Sequence, residues 1–311
     1  MNLKDNLTYE FHLTAFSNST ENHILLFFIF LMIYLTGVLG NTIIITSVII
    51  DTHLHTPMYI LLCNLSSVDL IFNSSTIPKL MDILLSGKDS ISFVQCFIQL
   101  FFYMFAASTE DMLLSLMAYD RYVAVCKPLH YHMIMHKKKY ILFLLGIWIS
   151  GCANSLFLTF SIYHLDLCPS NKIQHFFCDI KALAKITCSH TQFYILLYLE
   201  SVILGLFPFL LSLTSYIKII LIILSIRSAS GRWKAFSTCT SHLVVLILFY
   251  GVALCMYVKP PSGHYEKQDL VFSIMYTAVT PMLNPLIYTL RNKEVKTALS
   301  RIFKINKKNL A

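Results

Sequence analysis

The chain has 311 residues, of which 56% are apolar and only 13% are charged. An ordinary soluble domain carries roughly 25% charged residues, so this composition excludes a soluble globular protein and indicates a chain surrounded by lipid. The net charge of +8 follows the membrane topology described below and gives no reason to expect a nucleic-acid partner.

Seven apolar stretches are long enough to cross a bilayer, since a spanning helix needs about 20 mostly apolar residues. Polar residues interrupt the second and seventh stretches, but helix is still expected there because a bilayer tolerates no lipid-exposed irregular backbone. The predicted helices cover residues 24–50, 57–85, 93–126, 140–163, 193–226, 235–258 and 268–290. The predicted fold is therefore an all-α membrane protein, a seven-transmembrane helix bundle.

Domain organisation is predicted to be simple. The chain has no Gly/Ser-rich linker, low-complexity tract or repeat period, which predicts a single domain over residues 1–311. Within it we expect a tail at 1–23, the helix bundle at 24–290 and a second tail at 291–311. The first span is too long for a signal-peptide core and is expected to stay in the mature chain.

The distribution of Lys and Arg predicts an extracellular N-terminus. With that orientation, 15 basic residues lie on the cytoplasmic side and 7 on the outer side. Two glycosylation sequons begin at Asn6 and Asn18, in the segment that the charge rule places outside. The two signals agree with each other.

The segment after the seventh span has the pattern of a short amphipathic helix. Such a helix suits an anionic inner leaflet, so membrane lipid is an expected partner. The apolar face would consist of Val295, Ala298, Leu299, Ile302 and Phe303, and the basic face of Lys296, Arg301 and Lys304.

Four of the nine cysteines are expected on the outer side, namely Cys96, Cys168, Cys178 and Cys188. An even number in an oxidising compartment suggests two disulfide bridges. Four cysteines permit three pairings, and their spacing does not choose among them. Four free thiols are the remaining alternative.

Six short motifs occur in order along the predicted spans. The sequence MAYDRYVAVC at 117–126 closely resembles the MAYDRYVAIC signature of olfactory receptors, which belong to the rhodopsin-like class of G-protein-coupled receptors. The others are GN at 40–41, LHTPMY at 54–59, SY at 215–216, KAFSTCTSHL at 234–243 and PMLNPLIY at 281–288. Together they cover nearly the whole chain. The PKL sequence at 78–80 and the short third inner loop resemble the tetrapod-type (class II) branch.

The resemblance implies a pairing of the outer cysteines and a function. The bridges would be Cys96 to Cys178 and Cys168 to Cys188. The function would be that of an odorant receptor in the plasma membrane of olfactory cilia, which binds small, mostly apolar ligands within the bundle. It would activate a stimulatory heterotrimeric G protein and raise cyclic AMP. No catalytic group, metal or cofactor is expected.

Ionisable residues inside a membrane are costly and are functional candidates by default. The candidates here are Asp69, Glu110, Asp111, Asp120, Arg121 and Glu200. The resemblance implies an activation switch made of Asn41, Asp69, Asp120, Arg121, Tyr122, Tyr216, His242, Asn284, Pro285 and Tyr288. Pro208 and Pro285 are expected to kink the fifth and seventh helices.

Two parts of this switch have defined expectations. Asp69, Asn41 and Asn284 would form a polar hub able to hold water or a cation, and static interhelical hydrogen bonds are the alternative. Arg121 would pair with a carboxylate in one state and be released in another. His242 either joins the inner polar cluster or is a buried histidine satisfied by its neighbours.

A ligand pocket is expected between the outer halves of the helices. On the third helix Met104, Ala107, Ser108 and Asp111 share one face, and Tyr103 flanks it. By resemblance, the facing walls are Leu197, Glu200, Ser201, Leu204, Tyr250, Ala253, Leu254, Tyr257, Ile274 and Thr277. Some of these residues are expected to be packing contacts only.

Glu200 and Asp111 depart from a plain apolar pocket. One hypothesis is a ligand with a basic nitrogen, bound by charge-assisted hydrogen bonds. The competing interpretation is that burial keeps both carboxyl groups neutral and bonded to hydroxyls such as Ser108 or Thr109.

Other functional classes have little support in the sequence. An enzyme is disfavoured, because there is no G-x-S-x-G, H-E-x-x-H or P-loop motif. A transporter or channel would more naturally show broken spans in matching halves, and no such symmetry is present. The alternative that stays open is a rhodopsin-like receptor for a non-volatile metabolite or peptide outside the olfactory epithelium.

Overall fold

A computed structural model describes residues 10–14, 22–166, 168, 170–188, 191–257, 266–291 and 294–301. Seven of its helices are long and apolar enough to cross a membrane, which confirms the predicted bundle. We number these spans from first to seventh. Five are regular helices, at His23–Ile50, Pro57–Ser86, Phe93–Cys126, Lys137–Tyr163 and Ala229–Tyr257. They are the first four spans and the sixth.

The fifth and seventh spans each contain a π-helical turn. The fifth runs through Thr191–Glu200, the π turn Ser201–Leu206 and Phe207–Ser225. The seventh runs through Glu266–Ile274, the π turn Met275–Val279 and Thr280–Arg291. Both π turns end two residues before a proline, Pro208 and Pro281. A proline ring clashes with the carbonyl four residues earlier in a regular helix, and the wider turn relieves that crowding.

The fourth and sixth spans begin earlier than hydropathy predicts. The fourth starts at Lys137 rather than at residue 140, and the sixth at Ala229 rather than at residue 235. Basic residues occupy both extra turns. Hydropathy ends a span where the charged residues begin, whereas backbone hydrogen bonding continues past the edge of the apolar region.

The third span is the centre of the bundle. Of its most apolar 18-residue window 72% is buried, compared with 11% for the first span, which lies at the periphery. A capping box fixes where it starts. The Ser92 hydroxyl accepts from the Gln95 backbone N–H at 3.3 Å, and the Gln95 side chain accepts from the Ser92 N–H at 3.4 Å.

Short helices occupy the connections between spans. Thr52–Leu54 and Pro128–His130 are single 3₁₀ turns, and Tyr131–Ile134 and Ile180–Lys185 are short α-helices. Residues 294–301 form a further helix after the seventh span. The helix Ile180–Lys185 begins at Asp179, whose carboxylate accepts hydrogen bonds from the backbone N–H groups of Lys181 and Ala182 at 2.9 and 3.2 Å.

A small three-stranded sheet adds to the all-α bundle and was not predicted. Strand β1, Glu10–Leu13, lies in the middle. It pairs antiparallel with β2, Ser90–Ser92, and parallel with β3, Lys172–Ile173. The strands have two to four residues each, too short for an alternating pattern to register in the sequence.

The sheet and both disulfides lie at one end of the bundle, called here the disulfide end. Cys96 is bonded to Cys178, 82 positions further along the sequence, and Cys168 to Cys188, 20 positions further. These are the pairings that the resemblance implies. The side chain of Gln99 accepts from the Cys178 N–H at 2.9 Å and donates to the Ser75 carbonyl at 2.8 Å. The loop is thereby attached to the second and third spans.

The opposite end, which carries Arg121, is called the arginine end. There the helix 294–301 buries Val295 and Ala298, as its amphipathic pattern predicts. Arg301, expected on the solvent face, instead pairs with Asp51 at 3.1 Å. The pKa of Asp51 is lowered: burial opposes the charged form, but hydrogen bonds from His53 and the Arg301 charge outweigh it.

A second contact holds the same helix. The Tyr59 hydroxyl donates to the Glu294 carboxylate at 2.7 Å. Ile302, Phe303 and Lys304 lie outside the described residues, as do the sequons at Asn6 and Asn18.

Candidate functional site

A cavity of about 270 Å³ lies between the spans near the disulfide end. The third, fifth, sixth and seventh spans and the loop before the fifth span all contribute to its walls. Seven of the predicted pocket residues line it: Tyr103, Met104, Ala107, Leu197, Glu200, Ser201 and Ala253. A volume of this size accommodates a small organic molecule.

Other predicted wall residues lie elsewhere. Leu254 is 49% exposed, because it follows Ala253 by one helical position and is rotated by about 100° away from the cavity. Leu204 and Thr277, which the resemblance assigned to the wall, fall within the two π turns, and Ile274 directly precedes one of them. None of the three lines the cavity. The side chain of Tyr257 lies outside the described residues.

Ten lining residues were not predicted. Seven come from the loop and its short helix: Gln174, His175, Asp179, Ile180, Lys181, Ala182 and Lys185. Three come from the seventh span, Leu270, Ser273 and Tyr276. One signal was available: a bridge from Cys96 to Cys178 must bring the residues next to Cys178 over the third span. His175 is held there by a hydrogen bond to Ser273 at 3.1 Å.

Glu200 is joined to the third span by an amide of the fourth span. Asn154 donates to Glu200 Oε1 at 3.0 Å and to the Ser108 hydroxyl at 2.9 Å. Asn154 was not predicted, although a lone amide in an apolar span is itself a signal of an interhelical hydrogen bond. Ser108 therefore contributes to the polar network behind the cavity and does not line the cavity itself.

Asp111 belongs to a second polar group. It accepts a hydrogen bond from the Tyr250 hydroxyl at 2.7 Å, and that hydroxyl lies 3.4 Å from the Ser212 hydroxyl. Asp111 is only 7% exposed. The group links the third, fifth and sixth spans and does not line the cavity.

The residues of the predicted polar hub are all buried. Asn284 donates to both oxygens of Asp69 at 3.1 Å. Asn41 instead donates to backbone carbonyls, those of Gly37 at 3.0 Å and Pro281 at 3.1 Å. Glu110 on the third span is buried as well. Hydrogen bonds of the hub thus join the first span to the seventh and the seventh to the second.

At the arginine end, Asp120 is fully buried and pairs with the adjacent Arg121. Tyr131, in the short helix that follows, donates to the other oxygen of Asp120 at 2.8 Å. Burial and the neighbouring Asp120 charge raise the pKa of Tyr131, so its hydroxyl keeps its proton and remains a donor. Asp120 is therefore satisfied on both oxygens while it holds Arg121.

The remaining switch residues do not form one cluster. Tyr216 and His242 share a hydrogen bond of 2.8 Å between the fifth and sixth spans, and Tyr288 is buried at 1% exposure. Pro285 packs against Gly40, where an added Cβ would lie 2.9 Å from the proline ring. Tyr122 lies apart, with the amino groups of Lys218 and Lys127 at 5.4 and 6.0 Å from its ring centroid.

An open groove of about 560 Å³ lies beside the Asp120 pair. It is lined by Cys126, Lys127, Pro128, Leu129, His130, Met133 and Ile134. Leu129 is 94% exposed, which is a high exposure for an apolar residue on a short helical turn.

Comparison with known proteins gives the family directly. The family model described as "Olfactory receptor" matches residues 30–306. Olfactory receptor 10A7 of Homo sapiens is 45% identical over 94% of this chain and 93% of its own length. Olfactory receptor 1E16 of Mus musculus is 44% identical over 91% of this chain and 90% of its own. The chain therefore belongs to the olfactory receptor family of G-protein-coupled receptors, which are not enzymes.

Proposed function

We propose that the protein is an odorant receptor that binds small, mostly apolar ligands in the 270 Å³ cavity and activates a stimulatory heterotrimeric G protein, raising cyclic AMP. The observation that carries the proposal is that the third span serves both ends. It contributes Tyr103, Met104 and Ala107 to the cavity and ends with the Asp120–Arg121 pair. Met104 and Arg121 are about 25 Å apart at 1.5 Å per residue.

The cavity walls support a small ligand. Apolar side chains from the third, fifth, sixth and seventh spans contribute to the walls, and a few polar groups among them can orient the ligand. The bridge between Cys96 and Cys178 holds the loop over the third span, so the ligand contacts an attached wall. Movement of that wall is a direct route to the third span.

The arginine end supports a G-protein partner. Release of Arg121 from Asp120 would free a guanidinium next to the groove that carries Leu129. Lys127 and the lysines at 137–139 make this surface basic, which suits an acidic partner. Apolar contact with Leu129 would add affinity at the centre of such an interface.

The proposed orientation places the N-terminus outside and the arginine end in the cytoplasm, as the distribution of basic residues predicts. Disulfides persist in oxidising surroundings, and both bridges lie at the opposite end. The proposed location is the plasma membrane of olfactory cilia, with the amphipathic helix 294–301 against lipid of the inner leaflet. Glycosylation at Asn6 and Asn18 belongs to the same proposal.

The test is cyclic AMP in cells that express the chain, screened against a panel of volatile compounds. Arg121→Ala serves as the signalling control, and surface expression is measured in parallel with a tag before residue 10. A ligand-dependent rise that Arg121→Ala abolishes is the expected result. Normal surface expression without any response across the panel would contradict the proposed stimulus.

A further inference from the structure

We propose that the ligand carries a basic nitrogen at one end and an acceptor oxygen, a carbonyl or carboxylate, at the other end of a short apolar skeleton. The inference rests on the proposed receptor function and narrows its ligand class. It comes from the charges that line the cavity. Glu200 and Asp179 supply two acidic groups, and Lys181 and Lys185 supply two basic ones.

The two acidic groups have different roles. The Asp179 carboxylate caps the helix Ile180–Lys185 through the backbone N–H groups of Lys181 and Ala182, at 2.9 and 3.2 Å. Its position is thereby tied to the start of that helix. Glu200 is the carboxylate supplied by a membrane span, and it is the one that a ligand deep in the cavity would meet.

One oxygen of the Glu200 carboxylate is held by a hydrogen bond, and the other can still accept one. Its Oε1 accepts from Asn154 at 3.0 Å, which fixes the direction of the carboxylate. Its Oε2 accepts no hydrogen bond from the side chains that the structure describes. A charge-assisted hydrogen bond from an ammonium group would complete this carboxylate, and such bonds are roughly twice as strong as neutral ones.

The basic groups of the cavity wall are the reason to expect an acceptor oxygen on the ligand. Lys181 and Lys185 line the same cavity as Glu200. Lysine ammonium groups donate hydrogen bonds and accept none, so a ligand that carries only an ammonium group offers them no hydrogen bond and adds a further positive charge. An acceptor oxygen on the ligand can accept from both lysines.

The cavity also limits the length of the ligand. At about 270 Å³ it lies just below the range of typical drug-sized pockets, so the two polar ends must be joined by a short chain. Met104, Ala107, Leu197, Ala253 and Leu270 supply the apolar surface for that chain. Binding at Glu200 reaches the third span through Asn154 and Ser108.

The experiment compares four probes of similar length. Heptylamine carries the nitrogen only, methyl heptanoate the acceptor only, and aminocaproic acid and its methyl ester carry both. Potency is measured as cyclic AMP in cells, and binding as thermal stabilisation of the purified receptor in nanodiscs. The binding measurement does not depend on the G protein.

The expected result is that one of the two bifunctional probes is the most potent. Glu200→Gln should reduce the potency of both amine-bearing classes roughly tenfold or more and leave methyl heptanoate unchanged. Lys181→Gln should lower the potency of the bifunctional probes but raise that of heptylamine, because it removes a competing cation. Glu10→Gln, an exposed acid at the same end of the molecule, is the matched control and should change nothing.

Two results would overturn the inference. One is equal potency and stabilisation by methyl heptanoate and the bifunctional probes. The other is that the bifunctional probes give no thermal stabilisation of the parent receptor, or give one that Glu200→Gln does not remove. A receptor that responds to neutral odorants alone would refute the ligand class and leave the proposed function standing. Loss of every cyclic AMP response, with thermal stabilisation by the bifunctional probes retained, would refute the proposed signalling function and leave the ligand class standing.

Discussion

The two ends of the bundle are assembled in different ways. At the disulfide end, the contacts join distant parts of the chain: His12 contacts Asp89, 77 positions away in sequence, and His175 contacts Ser273, 98 positions away. At the arginine end, Asp120 pairs with its neighbour Arg121 and with Tyr131, 11 residues away. The first end depends on several loops meeting, whereas the Asp120 cluster at the second end is made within one short segment, although the last helix is attached there by the distant contacts of Arg301 with Asp51 and of Glu294 with Tyr59.

This difference teaches where sequence variation is tolerated. A cluster made within one segment keeps its geometry whatever the loops do, so it can be shared by receptors for many ligands. A cavity walled by a loop changes shape when the loop changes. The predictions below test the two ends separately, beginning with the largest expected effect.

Cys96→Ser should damage the disulfide end most. Losing a native bridge typically costs about 2–5 kcal/mol, and here it also releases residues 174–185 from the cavity. We expect lower surface expression and a lower unfolding temperature of the purified receptor. Cys255→Ser, at an exposed free cysteine, is the control and should behave like the parent chain. Equal unfolding temperatures for both variants would contradict the role given to the bridge.

Gly151→Ala should have the next largest effect, at the contact between the third and fourth spans. An added Cβ would clash with the Thr109 hydroxyl, which is itself bonded to the Phe105 carbonyl at 2.7 Å. Overpacking of this kind costs about 1–3 kcal/mol. Gly146→Ala lies on the same helix with nothing within 4 Å of its Cβ and should be neutral or slightly stabilising. Thermal unfolding in detergent compares the two.

Asp120→Asn tests the arginine end. It removes the charge that holds Arg121 and should raise ligand-independent cyclic AMP by roughly five- to tenfold, because the paired state loses its charge-assisted bonds. Affinity for an activating ligand at the cavity should rise in the same variant, because the released state becomes more populated and coupling between two sites is reciprocal. Asp82→Asn, which breaks the exposed pair with Lys79, is the matched control. Unchanged basal signalling in Asp120→Asn would refute the proposed role of the pair.

The smallest effect is expected at the last helix. Arg301→Gln removes a partly exposed partner of Asp51, and such pairs are worth less than about 1 kcal/mol.

Because the pKa of Asp51 is lowered in the folded state, the contribution of its carboxylate to stability is present above the unfolded value near 3.9 and is lost as the pH falls through the folded value. The difference in unfolding temperature between the parent and Asp51→Asn should therefore stay constant from about pH 7 to about pH 5. A difference that already disappears above about pH 5 would contradict this assignment.

Much of the fold follows from the sequence because lipid imposes it. Each span must be long and apolar, and its backbone N–H and C=O groups must be hydrogen-bonded within the helix. Hydropathy therefore locates all seven spans. The pair at Asp120 and Arg121 is recognisable for a related reason, since the residues that make it lie side by side. The pattern at Val295 and Ala298 likewise predicts the buried face of the last helix.

Two kinds of feature could not be predicted from the sequence. The π turns at Ser201–Leu206 and Met275–Val279 shift the helical register of the fifth and seventh spans, and no periodic pattern in the sequence marks where they occur. The loop residues of the cavity, such as His175 and Lys181, have no periodic pattern and reach their place through a bridge to a distant cysteine. Hydropathy contains neither kind of information.

The middle position of β1 has a practical consequence for receptor engineering. Within the described residues, strands β2 and β3 pair with β1 and not with each other. A tag or truncation that displaces Phe11 and Leu13 would remove this shared strand and leave the bridge between Cys96 and Cys178 to hold the two loops together. The cavity is walled by one of those loops, so screening data from such a receptor would describe the tag as much as the protein.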